Sequence, residues 1–96
     1  MSLVFRRVAE SEFRHAAGWY EAQRPGLGIA FVNEVQLALN LFSVHPQQDP
    51  IVDGDIRAAM VNRFPYCIYY RIKPDRVTVI AVFHTSRDPL HWRKRK

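Results

Sequence analysis

A chain of 96 residues with 48% hydrophobic content suffices for one compact core and is too short for two ordinary domains, so residues 1–96 read as one domain. A formal charge of +5 points toward phosphate-bearing or acidic partners rather than basic ones. No run approaches the roughly 18 to 20 uninterrupted apolar residues of a membrane span, and residues 1–7 lack a secretory signal's apolar segment, so the expected compartment is the cytoplasm, with no membrane partner.

Leu3 to Val8 mixes apolar and basic residues over a short run and reads as a first strand at a sheet edge. Phe13, Ala16, Ala17 and Tyr20 then fall at i, i+3, i+4 and i+7, the spacing of one helical face, with Glu10 and Glu12 near the positive end. That pattern predicts a helix from Ser11 to Gln23. The run from Arg24 through Pro25, Gly26 and Leu27 to Gly28 punctuates the chain, since proline breaks the hydrogen-bond ladder and glycine permits a tight reversal. A second helix carries Leu27, Phe31, Val35, Ala38, Leu39 and Phe42 every three or four residues until Pro46. Two helices joined by so short a turn form an antiparallel hairpin.

Pro46 to Asp55 contains two prolines, three aspartates and the Asp53-Gly54 pair, a loop by composition. After it the period changes to two. Ile56 to Val61, Tyr66 to Ile72 and Val77 to His84 read as antiparallel strands separated by Arg63-Phe64-Pro65 and Lys73-Pro74-Asp75. The expected fold is α+β: an N-terminal strand, an antiparallel helical hairpin, then a three-stranded antiparallel sheet, β-α-α-β-β-β. One sheet face would rest on the helices and the other would stay open. The last strand, apolar on both sides, suits a central position.

Alternation assigns the faces of these strands. Tyr66, Ile68, Tyr70 and Ile72 form the core set, opposite Cys67, Tyr69 and Arg71. In the preceding strand Ile56, Ala58 and Met60 read as the core set, opposite Arg57, Ala59 and Val61, with Arg63 joining the open side. An open face bearing Arg57, Tyr69 and Arg71, bordered by the turn that carries Arg87, could hold a phosphate backbone, because guanidinium forks pair with phosphate and rings stack on bases. The same arginines also read as ordinary solvated side chains on a sheet.

Residues 1–48 carry four basic and four acidic side chains, whereas residues 49–96 carry ten basic and five acidic. Arg87, Arg93, Lys94, Arg95 and Lys96 make up half of those ten, as a solubilising tail or as an attractor of phosphate or acidic protein. Cys67, alone of its kind, can make no internal disulfide. With no evident activating partner, Cys67 reads as an inert small residue on the sheet rather than a nucleophile. The four histidines show no metal-ligand spacing, so neither a metal nor a cofactor is expected. His15 and His45 fall on the helices, away from His84. Trp19 and Trp92 read as packing anchors.

Ile56-Arg57, Arg63-Phe64-Pro65-Tyr66, Tyr69-Tyr70, Ala81-Val82, His84 and Arg87-Asp88-Pro89 with Trp92 resemble the C-terminal signature of the RelE/ParE family of type II toxins. Trp19-Tyr20-Glu21 and Pro25-Gly26-Leu27-Gly28 before Phe31 resemble that family's helical hairpin. The resemblance implies a growth-arresting toxin held inactive by the C-terminal segment of a cognate antitoxin, with operator DNA contacted only through the antitoxin. Two targets occur among relatives: mRNA on the ribosome, cleaved without a metal, and DNA gyrase, poisoned without catalysis.

RNA cleavage needs a proton acceptor, a cation on the phosphate and an acid for the leaving oxygen. His84 and Arg87 are the candidate catalytic residues, and Arg87 matches a functional arginine of the RelE-like nucleases. Arg57, Arg63, Tyr69, Arg71, His91 and Arg93 are candidate contacts to nucleic acid or another target. Cys67 occupies a middle-strand position where those nucleases tend to carry arginine, which argues against cleavage. A non-catalytic module or inactive homologue that only binds antitoxin is the alternative.

Overall fold

The computed structural model describes residues 2–95. β1 (Ser2–Phe5) leads into a hairpin of α1 (Arg7–Gln23) and α2 (Leu27–Val44). β2 (Ile51–Asp53), β3 (Ile56–Met60), β4 (Tyr66–Ile72), β5 (Arg76–His84) and the short α3 (Leu90–Arg93) follow. The α+β architecture expected from the sequence is present, but the expected three-stranded antiparallel sheet is a five-stranded mixed one and a third helix, α3, follows it. Helix α1 starts four residues early, at Arg7, because the chain turns straight out of β1: the Arg6 amide donates to Val79 O at 3.0 Å. The loop before β3 contributes a further edge strand, β2, three residues long.

The sheet order is β1-β5-β4-β3-β2, with β1 parallel to β5 and the other pairs antiparallel. The last strand is therefore central. Val77 through Phe83 are all buried. Such a run needs cover on both faces.

Glu21 fixes the hairpin turn. Its carboxylate accepts from the Gly26 amide at 3.0 and 3.1 Å and from the Gly28 amide at 3.0 Å. These are N–H groups that the first turn of α2 would otherwise leave without acceptors. Gly26 sits at φ 90°, and a Cβ on Gly28 would stand 2.7 Å from Ala17 O. Glycine is thus required once by backbone conformation and once by the close approach of the two helices.

Helix α2 is long and apolar enough to cross a membrane by length and composition, with a mean hydropathy of 1.5. Its inner face nevertheless supplies the core: Phe31, Val35, Leu39 and Phe42 are buried against the sheet. Phe42 stacks on Tyr70 at 4.1 Å, and Phe31 meets Tyr20, Phe64 and Tyr66 at 5.0 to 5.2 Å.

Pairing overturns one expected face. Residues directly opposite in an antiparallel pair share a face. Arg57 lies opposite Tyr70, and Ile56 opposite Arg71. The alternation of β3 is therefore inverted: Ala59 and Val61 face the helices, whereas Ile56 faces away. Arg57, expected on the open side, is on the helical side, where Nη1 donates to Asp49 O at 2.6 Å and Gln47 O at 3.2 Å. It straps the loop before β2, as does the Tyr70 hydroxyl, 2.7 Å from Pro46 O and 2.9 Å from an Asp49 carboxylate oxygen.

A β-bulge in β5 sets up a second core. Tyr69 pairs with Ala81 and Tyr70 with Val79, so Ile80 is the extra residue. Val79 and Val82 both face the helices, while Ile80, Ala81 and Phe83 join Ile56 on the far side. Over that far side folds α3, whose Trp92 is 2% exposed. The centre of the face expected to stay open is thus covered within the chain, while Met60 at its end stays 62% exposed.

Candidate functional site

Where β1 ends, the outer edge of β5 loses its strand partner. Two side chains take over. The Val82 amide donates to Glu12 Oε1 at 3.1 Å, and Arg95 Nη1 donates to Ile80 O at 3.2 Å. Glu12 and Arg95 also bind each other, Nη1 to Oε1 at 3.0 Å and Nη2 to Oε2 at 2.8 Å. Arg6 donates to the Arg95 carbonyl. The C-terminal segment is thus tied to α1 and to the edge of β5.

Beside this lattice lies a cleft of about 340 Å³ between α1 and the end of β5, lined among others by Ser11, Glu12, His15, Tyr66, His84 and Arg87. The structure brings the two candidate catalytic residues together there. The Arg87 amide donates to His84 O at 3.1 Å, and its guanidinium lies 3.9 Å from the Phe83 ring centroid. Arg87 Nη1 donates to Glu12 Oε2 at 3.3 Å. The His84 ring packs edge-on against Tyr66 at 5.3 Å. His84 Nδ1 accepts the Ser86 amide at 3.1 Å, which places the proton of a neutral ring on Nε2.

The remaining candidates do not join them. Arg71 lies opposite Thr78, and Tyr66 opposite His84. Five residues of strand separate the two positions, roughly 17 Å. Arg71 is ion-paired with Asp55 at 2.9 Å, its side chain only 12% exposed. Tyr69 lies beneath Trp92, stacked at 4.1 Å. Arg93 reaches Asp53 at 3.5 Å, and the neighbouring His91 on α3 is exposed. Arg63, at φ 71°, approaches Glu34 of α2 at 3.6 Å. A shared cationic platform of Arg57, Arg71 and Arg87 is not assembled.

The covered face is chemically quiet. Burial pushes the Cys67 thiol up to about 11, against a smaller opposing effect of the Tyr69 hydrogen bond. It pushes the Tyr69 hydroxyl up to about 12. In the cleft, burial raises the Tyr66 hydroxyl, next helped by Tyr20 and opposed by Arg87. No group of three or more His, Cys, Asp or Glu is placed to hold a metal ion among the described residues.

Three site features departed from, or escaped, the sequence reading. His15, expected to lie away from His84, lines the same cleft. Ser11, His15 and Trp19 recur at i, i+4 and i+8, so their common helical face was legible. Trp19, expected to be a packing anchor, is 59% exposed at the cleft rim, whereas Trp92 is the anchor expected. Glu12 gave no signal beyond a favourable charge at a helix start, because its partners lie some seventy or more positions away.

A family model described as the ParE toxin of the type II toxin-antitoxin system, parDE, matches residues 3–89. The match includes the whole cleft and ends just before α3. No curated protein sequence matches the chain. Among solved structures the chain is similar to one titled "Chromosomal ParDE TA system from P. aeruginosa", with a TM-score of 0.76 and 20% identity over 90% of this chain and 97% of that one. That likeness shows the fold, and the family match runs through nearly all of it. The chain belongs to the ParE toxin family of type II toxin–antitoxin systems.

Proposed function

We propose that this toxin arrests growth by poisoning DNA gyrase in the cytoplasm, and that a cognate antitoxin neutralises it through its C-terminal segment. The choice of gyrase over mRNA cleavage rests on the match to the ParE toxin model across residues 3–89, and it is supported by Trp92, which stacks on Tyr69 and covers the centre of the sheet face opposite the hairpin. RNA cleavage on that face needs a cation and a proton-transfer pair gathered round a phosphate. Arg57 lies on the other side, Arg71 is ion-paired, and the Cys67 thiol is held neutral.

Ile29, Leu37, Leu41 and Val44 leave an apolar stripe exposed on α2. Such a stripe suits the amphipathic segment of an antitoxin. Operator DNA is then reached through the antitoxin. His84 and Arg87 meet the target rather than the antitoxin.

Expression without the neighbouring antitoxin gene tests the reading. Growth should stop, a DNA-damage reporter should rise, and purified gyrase should lose supercoiling activity in the toxin's presence. Codon-phased cuts in cellular mRNA with unimpaired gyrase would overturn it, and harmless expression would favour a module that only binds antitoxin. Arg87→Ala should abolish toxicity while leaving antitoxin affinity within a few-fold. Full toxicity of that variant would make Arg87 structural.

A further inference from the structure

The cleft between α1 and the end of β5 has the charge balance of an anion site. A single carboxylate, Glu12, serves two guanidinium groups, Arg87 and Arg95. It engages Arg95 at 2.8 Å and Arg87 at 3.3 Å, so its charge is spent mainly on Arg95. Arg87 remains 45% exposed and uses one Nη1 contact to Glu12 and the face of Phe83. A guanidinium presents five N–H donors, and most of those on Arg87 have no protein acceptor among the described residues.

Phe83 holds the planar fork in place, which lowers the entropy lost when an acceptor arrives. His84 adds a second donor, because Ser86 occupies Nδ1 and leaves the proton on Nε2. Ser11 and His15 add polar groups from α1, and Tyr66 closes the floor. The geometry points to an oxyanion site of the phosphate class, in which Arg87 supplies the charge, His84 and His15 supply directional donors, and Glu12 holds Arg87 in position.

The physiological ligand is a phosphodiester of the DNA engaged by the target, an identification that rests on the gyrase reading. Apolar walls from Val8, Ala16 and Val82 bring the charge close to low-dielectric surface, which strengthens its pairing with an incoming anion. A backbone phosphate of single- or double-stranded DNA reaches such an open rim without base recognition, so sequence preference is not expected.

The test is a titration of the isotopically labelled full chain, followed by NMR at the Arg87 Nε–H, the Ser86 amide and the histidine rings. Inorganic phosphate, dimethyl phosphate and a short oligothymidylate are the three probes. The expected result is saturable shifts confined to the cleft with all three, with the oligonucleotide binding at least tenfold more tightly than dimethyl phosphate and weakening steeply with salt. Arg87→Gln should lower affinity tenfold or more with the rest of the spectrum unchanged, and His15→Asn should lower it severalfold.

Tighter binding of inorganic phosphate than of the oligonucleotide would overturn the DNA assignment and leave a small-anion site. Absence of shifts at tens of millimolar phosphate, or equal shifts in Arg87→Gln, would overturn the site itself. Binding without any effect on gyrase would instead overturn the function proposed above, so the two failures are distinguishable.

Discussion

Glu12 on α1 grips Arg95 with both carboxylate oxygens, at 3.0 and 2.8 Å, and thereby ties the C-terminal segment to the first helix. Both side chains are mostly buried, with 13% and 17% exposed. Removing one partner leaves the other charge desolvated. Glu12→Gln should therefore lower unfolding free energy by about 2 kcal/mol in denaturant titration. In a double-mutant cycle the Glu12–Arg95 coupling should exceed that of Glu12–Arg87, because Arg87 is the more exposed and more distant partner. Equal couplings would mean that the two arginines anchor Glu12 alike, and a larger Glu12–Arg87 coupling that Arg87 is the anchor.

Trp92 should carry much of the second core. Truncating a buried tryptophan costs about 3 to 5 kcal/mol, and Trp92→Ala should fall in that range. The two tryptophans also separate optically, since Trp19 is 59% exposed and Trp92 2%. Trp19→Phe should leave a blue-shifted emission resistant to acrylamide, and Trp92→Phe a quenchable one. Quenchable emission in the first variant would mean that α3 does not rest on the sheet.

Two glycines in the hairpin should respond oppositely to alanine. At Gly28 a Cβ would meet Ala17 O at 2.7 Å and Glu21 Cβ at 2.9 Å, so Gly28→Ala must push the helices apart at a cost of about 1 to 3 kcal/mol. At Gly18 a Cβ would meet nothing within 4 Å. Gly18→Ala should then stabilise α1 by about 0.5 to 1 kcal/mol, the usual helix-propensity gain. Thermal unfolding of both variants checks the contrast.

Stability should fall in alkali. The Cys67 thiol ordinarily titrates near 9.0, but burial holds it protonated in the folded chain up to about 11. Between those values the unfolded chain has lost a proton that the folded chain retains, so stability declines as pH rises. The decline from this group amounts to at most about 2 to 3 kcal/mol. Tyr69, raised from 10.0 to about 12, extends the same trend upward. Urea midpoints at pH 8 and 10.5 under reducing conditions should show the drop, and Cys67→Ala should flatten it. An unchanged midpoint would place the thiol in contact with water.

The hairpin, β4 and β5 were legible because their periods are strong and their breakers, Pro25, Gly26 and Pro46, stand at the turns. β3 was not. Ile56, Ala58 and Met60 are apolar on one parity, Ala59 and Val61 on the other, and the sign that tips the balance, Arg57, reaches loop carbonyls from the helical side. A short strand with small residues on both faces leaves its register to tertiary pairing. The apolar run of β5 was readable as central, but its bulge at Ile80 and the cover provided by Trp92 depend on contacts remote in sequence. Nearness of His84 to Arg87 was readable because they stand three positions apart, whereas Glu12, which contacts Arg87 from α1, was not.

Because Ser2 lies beside Arg76 in the parallel pair of β1 and β5, β1 meets its neighbour only across some seventy intervening residues. Such distant closure is slow and cooperative. Fragments that stop short of β5 lack the strand on which both cores rest, and should be inert. Toxicity should therefore depend on β5 being present: a chain cut off in the loop after α2 should be harmless rather than a weakened toxin.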